Sequence, residues 1–260
     1  VLTWIKGQGK DVPETTYQKD GAIINSGAIA TWAMHTVVSE NRLIAIPKEM
    51  PLDEASLLGC AILTGGGIVR HTMQPQQGSS FAVFGVGGVG MSALLAASLS
   101  GCNPIIAVDI HDEKLAFASR LGAHALINAK TEDPLTRILT LTEKKGVDFA
   151  VEAAGAKIAM EGAFYALRAG GMLVIAGNLP VGEKISIDPF DLIRGKRILG
   201  SWGGESSSDE DIPWYVSRYF EKKLPLAELI THRFRLDEIN HAIDTLENER
   251  NVIRVIIECV

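Results

Sequence analysis

The sequence predicts an α/β fold built around a doubly wound parallel sheet with helices on both faces. From Phe81 onward, short apolar runs alternate with segments of helical periodicity. Repeated βα units of this kind form parallel sheets with right-handed connections. Several of the runs, such as FAVF, are apolar at every position, which is expected for strands buried on both faces. A glycine-rich turn follows FAVF and opens a helical segment, a third feature of this fold class.

The first part of the chain contains short strand-like runs separated by loops. VLTWI and MHTVV are predicted strands, and the loops around them contain glycine and proline. The stretch PLDEASLLGCAILTGGGIVRHTM is predicted to be a helix interrupted at Gly65 to Gly67.

The alternating part predicts six strands, which are FAVF, PIIAVDI, ALIN, DFAVEAA, MLVIAG and RILGSW. The helices between them are residues 88–100, DEKLAFASRL, DPLTRILTLT and KIAMEGAFYALR. We expect Gly122 to end the second of these helices, and Gly170 with Gly171 to end the fourth. Residues 208–260 are predicted to hold two helices and a closing strand, VIRVIIECV.

Composition excludes several classes of protein. The 260 residues are 47% hydrophobic and 22% charged, so the chain can bury one or two cores. The net charge is −6, with acidic and basic residues interspersed, which argues against nucleic-acid binding. No apolar run reaches the roughly 18 residues that span a bilayer, so no membrane partner is expected.

Cysteine usage predicts a reducing compartment, and hence the cytoplasm. The three cysteines, Cys60, Cys102 and Cys259, are far apart and form no CxxC pair. The chain opens at Val1 within a strand-like run, so we expect its natural N-terminus, and any targeting segment there, to lie upstream.

The glycine-rich turn predicts a phosphate cradle. Gly85, Gly87 and Gly90 form GxGxxG after a strand and at the mouth of a helix, with Gly88 and Val89 between them. In a Rossmann domain the first glycine permits a tight turn, the second lets the backbone approach a pyrophosphate, and the third lets helix and strand pack closely. The helix N-terminus offers free N–H groups and a positive dipole end to the phosphates.

An acidic residue ends the next strand and predicts a ribose contact. Asp109 lies 24 residues after Gly85, close to the spacing of about 20 residues expected for the ribose-binding acid. Its carboxylate can accept from both ribose hydroxyls and would repel a 2′-phosphate, which favours NAD over NADP. Lys114 lies one helical turn further on; it could reach the 3′-hydroxyl, balance Asp109, or be a solvated surface lysine.

Five segments together resemble the medium-chain, zinc-type alcohol dehydrogenase family. They are LLGCAILTGGGIV, AVFGVGGVG, IIAVDIHDEK, GVDFAVEAAG and ILGSWGG, in the family's order and spacing. The resemblance implies a GroES-like, β-rich catalytic domain built from both chain ends, here 1–58 and 203–260. An NAD-binding Rossmann domain would span 59–202. It also implies that the N-terminal part of the catalytic domain is missing.

The resemblance also assigns roles to individual residues. Cys60 matches a catalytic zinc ligand, and Thr64 matches a threonine at the catalytic centre beside the nicotinamide carboxamide. Further coenzyme contacts are implied for Val89, Ala154, Ala176, Asn178 and Trp202, and a pyrophosphate contact for Arg254. Trp4 and Trp32 fall where the family places apolar walls of the substrate pocket.

Zinc binding is expected to be incomplete in this chain. KGQGKDVPETTYQKDG stands where many family members carry a structural zinc lobe, and it contains no cysteine, so no structural zinc is expected. Catalytic zinc needs three protein ligands, and Cys60 is the single match. The six histidines form no HxxxH or HxH pair. The remaining ligands would lie upstream of Val1, and this chain alone is expected to show little or no turnover.

The function implied by the resemblance is NAD-dependent interconversion of an alcohol and an aldehyde or ketone by zinc-assisted hydride transfer in the intact parent. Two alternatives stay open. One is a zinc-free reductase resembling quinone or enoyl reductases, although the presence of Asp109 and Cys60 argues against it. The other is a non-catalytic NAD(H)-binding module. GEKISIDPF resembles the region through which family members dimerise, so a homo-oligomer, dimer or tetramer, is expected. The sequence leaves the particular small-molecule substrate open.

Overall fold

The computed structural model of the chain describes residues 1–12, 16–25 and 29–259. The chain divides into two compact units, of which the first comprises Val1–Leu63 with Ser207–Val260 and the second comprises Thr64–Ser206. The domain limits 1–58, 59–202 and 203–260 stay predictions. Part of the loop expected to lack structural zinc, residues 13–15, lies outside the described residues, as does Val260 of the expected closing strand.

The N-terminal segment contains little regular structure. An antiparallel hairpin joins β1 (Thr16–Lys19) to β2 (Ala22–Asn25). The predicted strand VLTWI is wrong, because its strand pairing is limited to one isolated bridge between Leu2 and Leu43. MHTVV is not a strand either. Both runs have strand composition, but β propensity produces a strand only where a neighbouring strand pairs with it.

The predicted glycine break in the following helix is also wrong. Helix α1 (Leu52–Ser56) and a 3₁₀ turn end before Cys60, and α2 (Ala61–Gly67) then runs through all three glycines into a π-helical turn. A Cβ on Gly65 would collide with the Val89 carbonyl, and one on Gly67 would collide with the Gly204 carbonyl. The glycines therefore permit close packing of a continuous helix, and the break falls at Cys60, whose φ of −147° is not helical.

The second unit contains six parallel strands in the spatial order β5-β4-β3-β6-β7-β8, which confirms the predicted doubly wound sheet. The strands are β3 (Phe81–Phe84), β4 (Ile105–Asp109), β5 (Ala125–Asn128), β6 (Val147–Glu152), β7 (Leu167–Ile175) and β8 (Arg197–Gly200). The connecting helices are α3 (Gly88–Leu99), α4 (Asp112–Arg120), α5 (Pro134–Leu141), α6 (Lys157–Tyr165) and α7 (Pro189–Ile193).

The core of this unit lies between the sheet and its helices. Phe84, Ile106, Ala150 and Leu173 belong to one buried apolar cluster contributed by the four central strands. Helix α3 is buried from Gly90 to Ala97, which explains why its sequence is apolar all round rather than on one face.

Gly170 and Gly171 do not end a helix, contrary to expectation. Helix α6 ends at Tyr165, and both glycines lie inside β7. Gly170 has a φ of +78°, and the pairing of β6 with β7 shifts register between Val147 and Phe149. The glycines thus accommodate an irregularity within the strand.

The C-terminal part has more elements than predicted. It contains α8 (Ser208–Phe220), α9 (Leu226–Leu229), β9 (Ile230–Arg235), α10 (Ile239–Asn248) and β10 (Arg254–Glu258). Strand β9 was not predicted, and it pairs in parallel with β10. The described residues contain no single helix long and apolar enough to cross a membrane, although the bent pair Leu52–Gly59 and Ala61–Met73 reaches that length and composition jointly.

Candidate coenzyme-binding site

The glycine turn lies at the carboxyl end of β3, where the strand order of the sheet reverses. Gly85 has a φ of +87°, and a Cβ there would lie 2.5 Å from the Ala154 nitrogen. A Cβ on Gly90 would collide with the Gly85 carbonyl oxygen. A Cβ on Gly87 would meet nothing within 4 Å. Gly85 and Gly90 are therefore required by the fold of the turn, whereas Gly87 borders open space.

Asp109 lies at the end of β4 and is bonded to the glycine turn. Its Oδ2 accepts a hydrogen bond of 2.9 Å from the Val86 N–H. Its Oδ1 accepts from the N–H groups of Ile110 at 2.7 Å and His111 at 3.1 Å. The carboxylate is half-buried and held in one orientation by three backbone donors, and Oδ2 retains a lone pair for a further donor.

A cleft of about 330 Å³ opens beside these two elements. Apolar side chains form most of its walls, and Asp109 and Asp133 are its two carboxylates. It is lined by Phe84, Gly85, Val108, Asp109, Ile110, Ala129, Asp133, Pro134, Leu135, Ala154, Ala156, Ile158, Ala159 and Gly162. A slot of this chemistry suits a flat, weakly polar ring with hydroxyl groups at one end.

Asp133 holds one wall of the cleft in place. Its Oδ2 accepts from the Thr136 hydroxyl at 2.6 Å and the Thr136 N–H at 2.9 Å, which caps α5. The hydrogen bonds from Thr136 lower the pKa of Asp133 below its ordinary value. The cap fixes the start of α5 and with it Pro134 and Leu135.

Three predicted contact residues line this cleft, namely Gly85, Asp109 and Ala154. Others lie at the same edge of the sheet without lining it. Ala176 and Asn178 follow the carboxyl end of β7, and a Cβ on Gly155, in the loop after β6, would lie 2.7 Å from the Asn178 carbonyl oxygen. The loops after β6 and β7 are therefore packed against each other.

Thr64 and Val89 are close to the N-terminus of α3. Thr64 precedes Gly65, whose Cα faces the Val89 carbonyl, and both Thr64 and Val89 are half-buried. Lys114 lies on α4 outside the cleft lining. Trp202 follows β8 and is 78% exposed. The roles predicted for these four residues stay predictions.

Cys60 and Arg254 are close together within the first unit. Burial lowers the pKa of the Arg254 guanidinium, and the nearby Cys60 thiol partly opposes this shift. Cys60 itself is exposed. Among residues 1–12, 16–25 and 29–259, no group of three or more His, Cys, Asp or Glu side chains could hold a metal ion.

Several residues of this region were not predicted from the sequence. Ile110, Leu135 and Ile158 line the cleft but belong to three separate loops or helix starts and carry no motif. Glu152 was also missed, although a charged residue inside the apolar run DFAVEAA was a visible signal. It is completely buried at the end of β6.

The parallel sheet, its glycine turn and the acid at the end of β4 define a Rossmann-type α/β protein. The family model for zinc-binding dehydrogenases matches residues 88–221, and the chain belongs to this family.

Solved structures of zinc-type alcohol dehydrogenases are similar to the chain. Benzyl alcohol dehydrogenase from Acinetobacter calcoaceticus is 36% identical over 85% of this chain, with a TM-score of 0.81. An alcohol dehydrogenase zinc-binding domain protein from Burkholderia ambifaria is 35% identical over 86% of this chain, with a TM-score of 0.82. 2R,3R-butanediol dehydrogenase from Bacillus subtilis is 25% identical over 85%, with a TM-score of 0.75. The chain spans 61%, 60% and 62% of these three proteins, respectively.

Proposed function

We propose that this chain carries the coenzyme-binding unit of an NAD-dependent oxidoreductase that interconverts an alcohol and an aldehyde or ketone. The observation that carries the proposal is the pairing of Asp109 with the glycine turn. The Asp109 carboxylate is bonded to the Val86 N–H, one residue before Gly87, where an added Cβ would meet only open space. A sugar-binding acid and a site of close backbone approach are thus adjacent, as a dinucleotide requires.

Different residues of the chain would bind different parts of the coenzyme. The adenine ring would lie in the apolar cleft between Ile110, Leu135 and Ile158. The Asp109 carboxylate would accept from the ribose hydroxyls and disfavour a 2′-phosphate. The pyrophosphate would lie against Gly87 and the N-terminus of α3, where free N–H groups and the helix dipole favour negative charge.

The nicotinamide supplies the hydride chemistry when it is bound. From the family resemblance we assign Thr64, Val89 and Trp202 to its surroundings. Ala176 and Asn178 are assigned to the flanks of the two riboses, and Arg254 to the pyrophosphate. In the longer parent, Cys60 would be one ligand of a catalytic zinc ion, with the other ligands outside this chain. Benzyl alcohol dehydrogenase and butanediol dehydrogenase among the similar structures support an alcohol as the substrate class.

An oligomer is part of this proposal. Strand β8 is at the edge of the sheet, and Val181, Phe190 and Ile193 in the preceding segment expose much of their apolar surface. Exposed apolar side chains beside an unpaired strand edge favour association of two copies. Light scattering that gives a clean monomer at micromolar concentration would contradict this part of the proposal.

The test of the coenzyme assignment is a fluorescence titration with NADH and NADPH. The wild-type chain should bind NADH at least about tenfold more tightly than NADPH, because a charge-assisted hydrogen bond contributes roughly 1.5–3 kcal/mol. Asp109→Asn should lose most of this preference. Asp244→Asn, on an exposed position of α10, removes the same charge and should leave it unchanged. Equal or tighter NADPH binding by the wild type would refute the role of Asp109.

A further inference from the structure

Glu152 is a buried carboxylate in a strand that is otherwise apolar at its carboxyl end. It is 0% exposed and lies in register between Phe84 of β3 and Ile175 of β7. Transfer of a carboxylate from water to a protein interior costs several kcal/mol unless hydrogen bonds or charges offset it. An apolar residue would fill the same position without that cost, so the contacts of the carboxylate must account for its burial.

Glu152 contacts the backbone of the loop that follows it, and a Cβ on Gly177, in the loop after β7, would lie 2.6 Å from its Oε2. Its Oε1 accepts hydrogen bonds from the N–H groups of Ala154 at 2.9 Å and Gly155 at 2.7 Å. Its Oε2 has no hydrogen-bond partner. Burial raises the pKa of Glu152, and the N–H groups of Gly155, Ala154, Ala156 and Gly177 oppose this shift by stabilising the ionised form. The loop therefore folds around the carboxylate.

The two residues held by Glu152 are the ones that touch the neighbouring loops. Ala154 lies against Gly85, where an added Cβ would be 2.5 Å from its nitrogen. Gly155 lies against Asn178, whose carbonyl oxygen would be 2.7 Å from a Cβ on Gly155. Gly177 is packed so closely on Gly155 that a Cβ there would collide with the Gly155 nitrogen. The Glu152 carboxylate thus fixes the loop 153–156, which lies between the glycine turn and the loop 176–178.

We propose that Glu152 is a positioning residue that holds the loop 153–156 against the glycine turn and the loop 176–178, and thereby sets the affinity for the coenzyme. The inference rests on the proposed function for its coenzyme part. Glu152 is inaccessible to any ligand, so it acts through the backbone of Ala154 and Gly155. Because Gly85, Gly155 and Gly177 have no Cβ, no side chain separates the three loops at these contacts.

Glu152→Gln tests this inference because the side chain keeps its shape while an amide replaces the carboxylate. The amide oxygen can take the place of Oε1 and accept both N–H groups. The amide nitrogen then occupies the place of Oε2, where the carboxylate has no hydrogen-bond partner. Glu247→Gln is the matched control, since Glu247 is exposed on α10, outside the coenzyme site and the segment proposed to dimerise.

Two measurements on both variants and the wild type test the positioning role of Glu152. Amide hydrogen exchange should rise about tenfold at 85–90, 153–156 and 176–178 in E152Q, while the amides of β4 and β5 keep their protection. The NADH dissociation constant should rise about tenfold, the size expected for one weakened charge-assisted hydrogen bond. E247Q should match the wild type in both measurements.

The outcomes separate this inference from the proposed function. Unchanged exchange at 85–90 in E152Q, or a uniform rise across the whole sheet, would overturn the positioning role. A wild type that binds no NADH would overturn the proposed function, and the exchange pattern would still decide whether Glu152 positions the loops. Should E152Q not fold, Glu152→Asp keeps the charge at shorter reach and should show the same localised rise in exchange.

Discussion

Replacing Gly87 by alanine should separate coenzyme binding from stability. A Cβ at Gly87 meets nothing within 4 Å, and its φ of −80° is allowed for any residue. The free energy of unfolding should therefore change by less than about 0.5 kcal/mol. The new methyl group would occupy the place proposed for the pyrophosphate, so NADH should bind about 10–100-fold more weakly through loss of charge-assisted hydrogen bonds to the backbone.

The matched variant Gly85→Ala should behave in the opposite way. The φ of +87° costs alanine about 1–2 kcal/mol, and the approach of its Cβ to Ala154 adds about 1–3 kcal/mol of overpacking. Together these terms lower the free energy of unfolding by about 2–5 kcal/mol, which corresponds to a fall in Tm of roughly 4–20 °C for a unit of this size.

The assay combines thermal unfolding by circular dichroism with titration of NADH at a temperature where both variants are folded. A Gly87→Ala variant that binds NADH like the wild type would refute the assignment of Gly87 to the pyrophosphate. A Gly85→Ala variant as stable as the wild type would refute the argument from packing against Ala154.

Two further predictions concern stability and thiol reactivity. Burial acts to raise the pKa of Asp148, but hydrogen bonds from Ser80 and Arg168 more than offset it and hold the pKa below its ordinary value. Asp148→Asn should therefore lower the free energy of unfolding by about 1 kcal/mol at pH 7. This difference between variant and wild type should disappear as the pH falls through the folded-state pKa, below about 4. Urea unfolding across this range checks it, and a pH-independent difference would contradict it. Burial raises the pKa of the Cys102 thiol to about 11, so a disulfide reagent should label exposed Cys60 in the native protein and leave Cys102 unlabelled. Peptide mapping separates the label on Cys60 from any label on half-buried Cys259, and Cys60→Ser should remove the former alone. Rapid labelling of Cys102 in the native state would contradict the prediction.

The sheet could be predicted because its signals are local in the sequence. Each strand of the six-stranded sheet contains a short apolar run, and α5 starts at a recognisable residue, Asp133, whose side chain caps it. The N-terminal strands could not be predicted in this way. VLTWI has strand composition, but pairing depends on neighbours distant in sequence, and its strand pairing is limited to one isolated bridge at Leu2.

The candidate site also contains residues that the sequence predicts and residues that only the fold brings together. Gly85, Gly87, Gly90 and Asp109 form a motif with fixed spacing, so the sequence was sufficient to propose them. The walls of the cleft come from separate loops that only the fold brings together. Glu152 required both kinds of information, because its charge stands out in the sequence but its contacts with Ala154 and Gly155 are visible only in the structure.

The central claim is that a dinucleotide binds across the glycine turn with its adenosine held by Asp109. A crystal structure of the chain grown at saturating NADH tests it most directly. We expect the adenine in the cleft beside Ile158, the ribose hydroxyls on the Asp109 carboxylate and the pyrophosphate against Gly87. An empty cleft, or NADH bound elsewhere on the chain, would contradict the claim.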